Sequence, residues 1–502
     1  MTISTDDLVE LLQHELTQRH EEGYDVSQIE RRWKALDLPV LGLHRPVPDE
    51  ARAAVTRAAP EMEALYTALE GMEGLATRRA AGPSEPSTLE EIRALRPAGP
   101  RRLTLTLSDD ALRDRLLGAW LGRAAGCMLG KPVEGWDRDV IRAALEHAGE
   151  YPLLDYIHYP SDEVLAKEST PAAVKRLTQR PSDWYRGRFD RMARDDDMDY
   201  PLIALHLLER FGPEFITEHV GRVWQLKLPY LQVYTAERVA YRNLVYGLVP
   251  PQTATFRNPY REWIGAQIRA DLWGWVCPGE PERAAELAFR DASLSHVKNG
   301  IYGEMLFAAA MAASFCVSSA REALEIGLTE IPAECRLAGA MRQTIRWCDE
   351  DGDFQRTTDR IHETYGHYHR IHTINNAALV VMGLLYAENP GAGGSLGAAS
   401  TAGATGATGG SGTDSVLEDA ICLTVMGGWD TDCTGATAGS IVGSLEGADR
   451  LPGKWVAPFN DRLESIVIGM TDNRFTDLAD RTLVQAKRLA LYHGETKLGR
   501  QT

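Results

Sequence analysis

The chain has no run of 18 apolar residues and therefore no candidate transmembrane helix. Its N-terminus, MTISTDDLVELLQHELTQRHEEG, lacks the apolar core of a signal peptide. Its seven cysteines, Cys127, Cys277, Cys316, Cys335, Cys348, Cys422 and Cys433, form no CxxC pair and no regular spacing. An odd, scattered set of this kind fits reduced thiols in a cytoplasmic protein rather than a disulfide framework. Positive charge is in deficit: 54 Lys and Arg stand against 71 Asp and Glu, a formal net charge of −17. That balance argues against nonspecific binding to nucleic acid or to an anionic membrane, both of which are polyanions. Alternating strand patterns, βαβ units and a repeat period are also missing. Neither GxxxxGK[ST] nor GxGxxG follows a strand, so no phosphate-cradling loop is readable.

What the chain has instead is helix after helix. Periodic apolar positions run from residue 5 to 36, with Asp6 or Asp7 as the first cap, Gly23 as a stop and Ser27 as a second cap. More helix is expected over Ala51 to Ala80. Residues 81 to 101, with Pro83, Pro86, Pro97 and Pro100, read as a linker. These features predict a helical appendage over residues 1–100, serving as a packing or dimerisation arm. Residues 101–502 then form an all-α catalytic domain. Its helices are expected at Asp110 to Gly122, Pro201 to Phe211, Ile301 to Val317, Asn376 to Tyr386, Ser415 to Met426 and Gly435 to Leu445, among others. Small residues are frequent on them, which allows close packing. Residues 390–414, rich in Gly, Ala, Ser and Thr, are expected to be a flexible surface loop, because they carry too little apolar surface to offset the entropy of ordering.

The chemistry concentrates in two places. Gly427-Gly428-Trp429-Asp430-Thr431-Asp432-Cys433-Thr434-Gly435 pairs two carboxylates two residues apart within a largely apolar context. A buried, uncompensated pair of this kind is costly, and a bound cation or a raised pKa is the available remedy. Asp195-Asp196-Asp197, with Asp199 close behind, precedes another helix, for which Asp199 is the expected cap and Pro201 a first-turn residue. One carboxylate explains helix-dipole complementation; four in five positions call for a cation. If the fold brings the two clusters together, they make a metal centre, with room for two ions.

The order of motifs resembles the ADP-ribosylglycohydrolase superfamily. Gly118 to Glu134 is similar to that family's N-terminal small-residue helix, which ends in a Gly-x-Pro-Val-Glu loop. Asp195-Asp196-Asp197 falls at its Thr-Asp-Asp, and Asp291-Ala292-Ser293-Leu294-Ser295-His296 at its Asp-Ala-x-x-Thr-His. Gly427 to Thr434 resembles its Gly-Gly-Asp-Thr-Asp-Thr box. The resemblance implies an orthogonal all-α core with two Mg2+ ions in a central cleft. Asp196, Asp197, Asp430 and Asp432 would be ligands, and Asp195 would stand in for the Thr ligand. The chain departs from the pattern where Trp429 is inserted, where Cys433 replaces the last Thr ligand and where Cys127 replaces an Asp. Either Thr434 takes over from Cys433 after a local shift, or the second ion binds more weakly.

The function this resemblance implies is hydrolysis of a ribosyl-type bond in an ADP-ribosyl, nucleoside-like or other furanoside substrate. Asp197 or Glu134 would activate or position water. Glu134, His296, Asn299, Gly300, Gly428, Trp429 and Cys433 are the expected substrate contacts. Two rivals remain: a two-metal phosphoesterase, and a non-catalytic, crystallin-like binder of sugar or nucleotide. Monomer and dimer are both compatible with the sequence.

Overall fold

The computed structural model describes residues 4–74, 84–389 and 415–499; the expected loop at 390–414 lies outside the described residues. Helices carry nearly all of the regular structure. Strands are confined, among the described residues, to two antiparallel pairs two residues long: Trp136–Asp137 with Gly428–Trp429, and Leu463–Glu464 with Asp472–Asn473. The fold is all-α, as the patterning implied.

Several helices begin earlier than their apolar stripes. The helix expected from Pro201 runs Asp196–Phe211, and the one expected from Gly435 runs Thr431–Glu446. The acidic segments are thus first turns rather than the turns before them. Carboxylates favour that position because the unpaired N–H groups there carry partial positive charge. The cap is Asp195, which accepts from the Asp197 N–H at 2.9 Å, and not Asp199. Ser4, rather than Asp6 or Asp7, caps Thr5–Glu21.

At the centre, Asp109–Gly130 lies antiparallel to Thr431–Glu446 along a seam of main chain on main chain. Gly118, Gly122 and Gly126 back onto Gly443, Gly439 and Gly435, and Gly130 onto Thr431. Glycines four apart share one helix face, so each pair removes a side chain from the same line of contact. The Thr431 hydroxyl closes the seam, donating to the Gly130 carbonyl at 2.8 Å.

The N-terminal helices pack on the main body. Leu8, Leu12, Val55, Met62 and Leu65 share a buried cluster with Ala236, Val239, Tyr260 and Trp263. The polar face of Thr5–Glu21 is buried as well. Arg261 bonds Glu15 at 2.8 Å and Glu22 at 3.2 Å, while Lys298 bonds Glu22 at 2.9 Å and Gln18 bonds Glu262 at 2.9 Å. Within the stretch expected to be a linker, Leu89–Leu95 is a helix capped by Thr88. Arg96 and Arg101 pin its far end to buried Glu330 at 2.5 and 2.8 Å. The flanking prolines concealed this two-turn element.

Candidate metal centre

The first turns of Asp196–Phe211 and Thr431–Glu446 meet at the end of the glycine seam. Three trios of candidate donor atoms result, each with its members within 4.8 Å of one another: Asp197, Asp432 and Cys433; Glu134, Asp430 and Asp432; Cys127, Asp195 and Asp197. Two aspartate-rich turns more than two hundred residues apart in sequence therefore converge.

Asp197 is held by an arginine that the sequence did not flag. Pro201 has no N–H to give to the Asp197 carbonyl four residues back. Arg123 takes that carbonyl instead, its Nε donating at 2.8 Å. The same guanidinium bonds Asp197 Oδ1 at 2.8 Å, Asp271 Oδ2 at 2.7 Å and the Ile268 carbonyl at 2.7 Å. Arg123 is fully buried on the seam helix, among small residues that let the second helix close over it. Asp197 is thereby fixed with Oδ1 engaged and Oδ2 left without a partner.

Asp195 has no oxygen left over. Oδ1 caps the helix, and Oδ2 bonds the Lys131 ammonium at 2.5 Å. Lys131 is itself buried, donates to the Arg194 carbonyl at 2.9 Å and lies 4.2 Å from the Trp184 ring centroid. Asp199 is spent elsewhere, accepting from Ser465 Oγ at 2.7 Å, the Ile466 N–H at 3.1 Å and Arg194 Nε at 2.9 Å.

On the other side, a short ladder joins the Glu134 loop to the Asp430 loop: Trp136 pairs with Trp429, and Asp137 with Gly428. The Gly135 N–H adds a bond to the Trp429 carbonyl at 2.8 Å. Gly428, at φ +83°, rests against the Trp136 carbonyl and the Arg138 N–H, an approach only glycine allows. Trp429 sits at φ +64°, unusual for a bulky residue, and stacks on His362 with ring centroids 4.0 Å apart. Asn376 receives the Asp430 N–H on its side-chain oxygen at 3.2 Å, and its amide is anchored on the His372 carbonyl at 2.8 Å. The polar His372–Asn376 stretch therefore supports Asp430, and His372 caps its helix.

Crowding of buried carboxylates raises their pKa values. Burial, with Asp195 alongside, pushes Asp196 up to about 8. Burial, with Glu134 near, pushes Asp430 up to about 7. Asp197 and Asp432 are displaced upward for the same reasons, although Arg123 pulls Asp197 back. Asp432 Oδ1, like Asp197 Oδ2, is buried without a hydrogen-bond partner. Two orphaned carboxylate oxygens in one cluster fit a divalent cation, which would satisfy both at once.

The remaining expected residues divide. Cys433 joins the cluster. The Thr434 hydroxyl is buried and turns back to the Thr431 carbonyl at 3.4 Å. His296, Asn299 and Gly300 lie in the interior beneath the N-terminal helix. His296 Nδ1 meets Ser295 Oγ at 2.8 Å, Asn299 bonds Glu262 at 2.7 Å, and Gly300 abuts the Arg261 carbonyl. Sequence reasoning missed Arg123 and Lys131 as members of the site. An arginine inside an otherwise small-residue helix was the one available signal, since a buried guanidinium demands carboxylate partners.

The family model described as ADP-ribosylglycohydrolase matches residues 108–490. A search of curated proteins finds no match. A solved structure titled "ADP-ribosylglycohydrolase-related protein complex" is similar, with 18% identity and a TM-score of 0.42, over 75% of this chain and 98% of that one. With the family model spanning the seam, both acidic turns and their supports, the chain belongs to the ADP-ribosylglycohydrolase family.

Proposed function

We propose that this chain hydrolyses a ribosyl-type glycosidic bond at a site that requires divalent cations. The observation carrying this reading is the pair of buried, unpartnered carboxylate oxygens, Asp197 Oδ2 and Asp432 Oδ1, brought into one cluster from two helix N-termini. Bound cations would supply positive charge to engage the vicinal hydroxyls of a ribose and polarise it. Asp197, Asp432 and Asp430, the last fixed by Asn376, would hold those cations. Glu134, 41% exposed at the rim and braced by Arg180 at 3.4 Å, positions a water molecule and accepts its proton. The water oxygen bonds to C1 as the bond from C1 to its substituent breaks. The departing group carries the bonding electron pair, through an oxocarbenium-like transition state.

Two of the arginines at the rim, Arg180 and Arg194, are partly exposed but already paired, with Glu134 and Asp199. That limits the guanidinium groups open to a pyrophosphate and supports a small furanoside or nucleoside as substrate. Tyr234, 37% exposed and 5.8 Å from the Arg194 guanidinium, offers a ring face for a base. A phosphoesterase is less well supported, because the donor trios among the described residues contain no histidine.

The test is a panel of furanosides, nucleosides, ADP-ribosyl-arginine and phosphate esters assayed before and after exhaustive chelation. Cation-dependent release of free sugar from a riboside is the expected result. Turnover that survives chelation refutes the proposal. The departure at Cys433 favours the second reading, a non-catalytic binder, which is distinguished by saturable sugar binding with no turnover on any substrate.

A further inference from the structure

The three donor trios differ in chemistry. In the trio of Cys127, Asp195 and Asp197, the Lys131 ammonium already occupies the cation position: it bonds Asp195 Oδ2 at 2.5 Å, and the other Asp195 oxygen caps the helix. Glu134, Asp430 and Asp432 offer only oxygen, which suits a hard ion such as magnesium. The trio of Asp197, Asp432 and Cys433 is mixed. It combines a thiol, 8% exposed, with the two buried carboxylates whose free oxygens have no partner. This trio is firmly held, because Arg123 grips Asp197 from behind and the glycine seam holds the helix that bears Asp432 and Cys433.

Resting on the cation-dependent reading above, we propose that the position formed by Asp197, Asp432 and Cys433 selects a borderline-soft divalent cation of the zinc class over magnesium. Thiolate sulfur adds affinity for zinc, cobalt and iron and adds little for magnesium, whereas carboxylate oxygen alone suits magnesium. Donors sharing one zinc-sized ion lie about 3.4–3.8 Å apart at tetrahedral to trigonal angles, given metal–sulfur and metal–oxygen distances of about 2.3 and 2.1 Å. The donor atoms, all within 4.8 Å of one another, would close by at most about 1.4 Å on binding. Binding forms a sulfur–metal bond, and the thiol proton passes to solvent. Asp432 belongs both to this trio and to the all-oxygen one, so it would help to hold a softer and a harder ion together.

The experiment uses the full chain, stripped with chelator and titrated with Co2+ while the near-ultraviolet thiolate-to-cobalt charge-transfer band is recorded. The band is expected in the wild type and in Cys127→Ser, and absent in Cys433→Ser. In the wild type alone, equimolar Zn2+ should abolish the band, while about a hundredfold excess of Mg2+ should leave it in place. The inference is overturned if cobalt binds without a sulfur band, if Mg2+ displaces the cobalt, or if the band depends on Cys127 rather than Cys433. In those cases the hydrolase reading stands on its own activity test. Failure of any divalent ion to bind overturns both.

Discussion

Replacing Gly435 with alanine places a methyl carbon 2.5 Å from the Gly126 carbonyl oxygen and 3.2 Å from Val425 Cγ2. Carbon and carbonyl oxygen normally approach to about 3.3 Å, so the seam must open by roughly 0.8 Å. The atom in the way is main chain of a long helix, which cannot swing aside, so overpacking falls near about 3 kcal/mol, the upper part of its usual range. Alanine returns about 1 kcal/mol through its helix preference, leaving a net loss of roughly 2 kcal/mol. Unfolding entropy of about 2.1 cal/mol/K per residue comes to about 1 kcal/mol/K over 502 residues, so Tm falls by about 2 °C. Gly339, in the helix Arg336–Asp351, is the control, because a Cβ there meets nothing within 4 Å. Gly339→Ala should gain about 1 kcal/mol, raising Tm by about 1 °C. Two substitutions with the same covalent change thus have opposite signs by calorimetry. Asp432 and Cys433 lie within one turn of Gly435, and a displacement of about 1 Å costs about a hundredfold in rate, so activity should fall far more than stability. If Gly435→Ala melts at or above the wild-type temperature, the account of the seam is wrong.

Arg123→Met strands Asp197 and Asp271 as buried charges and should cost about 3–5 kcal/mol in metal-free protein, measured by urea denaturation; adding Asp271→Asn should recover part of it, and full stability in the single variant would contradict the pairing. Glu21 is buried, accepts the His369 N–H at 2.6 Å and is pushed up to about 8 by burial. Its stabilising contribution is therefore complete below about pH 4.5 and is lost as pH rises through 8; Glu21→Gln should remove that loss and melt above wild type at pH 9. A variant whose difference from wild type does not change between pH 5 and pH 9 would exclude this role. Asn376→Ala, which removes the acceptor of the Asp430 N–H, should lower activity by about 10- to 100-fold with secondary structure intact by circular dichroism. Asp430→Ala should abolish turnover in a steady-state assay while leaving the protein folded, and retained turnover would remove Asp430 from the site.

The elements themselves were legible locally. Apolar stripes, serine caps and stop glycines announced the helices, and the helices stand where those signals lie. Their starts were misjudged where acidic or small residues lead in, as at Asp196 and Thr431, because a pattern built on apolar spacing is blind to a polar first turn. The aspartates were visible as an electrostatic problem requiring a solution. What each one does was not. Asp195 and Asp199 look like their neighbours in sequence, but only Lys131, Ser465 and Arg194 in three dimensions show that their oxygens are taken. Asn299, attractive beside His296 as a polar pair, is taken up by buried Glu262, which also accepts from Gln18 of the N-terminal helix, a partner its own sequence neighbourhood gives no sign of.

By itself, then, the order of residues determined the all-helical class, the family and the two acidic clusters, since periodicity, capping and motif spacing are properties of short stretches of chain. Only the tertiary structure decided which oxygens remain free. That outcome depends on partners drawn from distant segments: Arg123 filling the bond Pro201 cannot make, Lys131 neutralising Asp195, and a glycine seam close enough to set Cys433 beside Asp197. A carboxylate's availability is set by what surrounds it in space, and contacts across hundreds of residues leave no local signature.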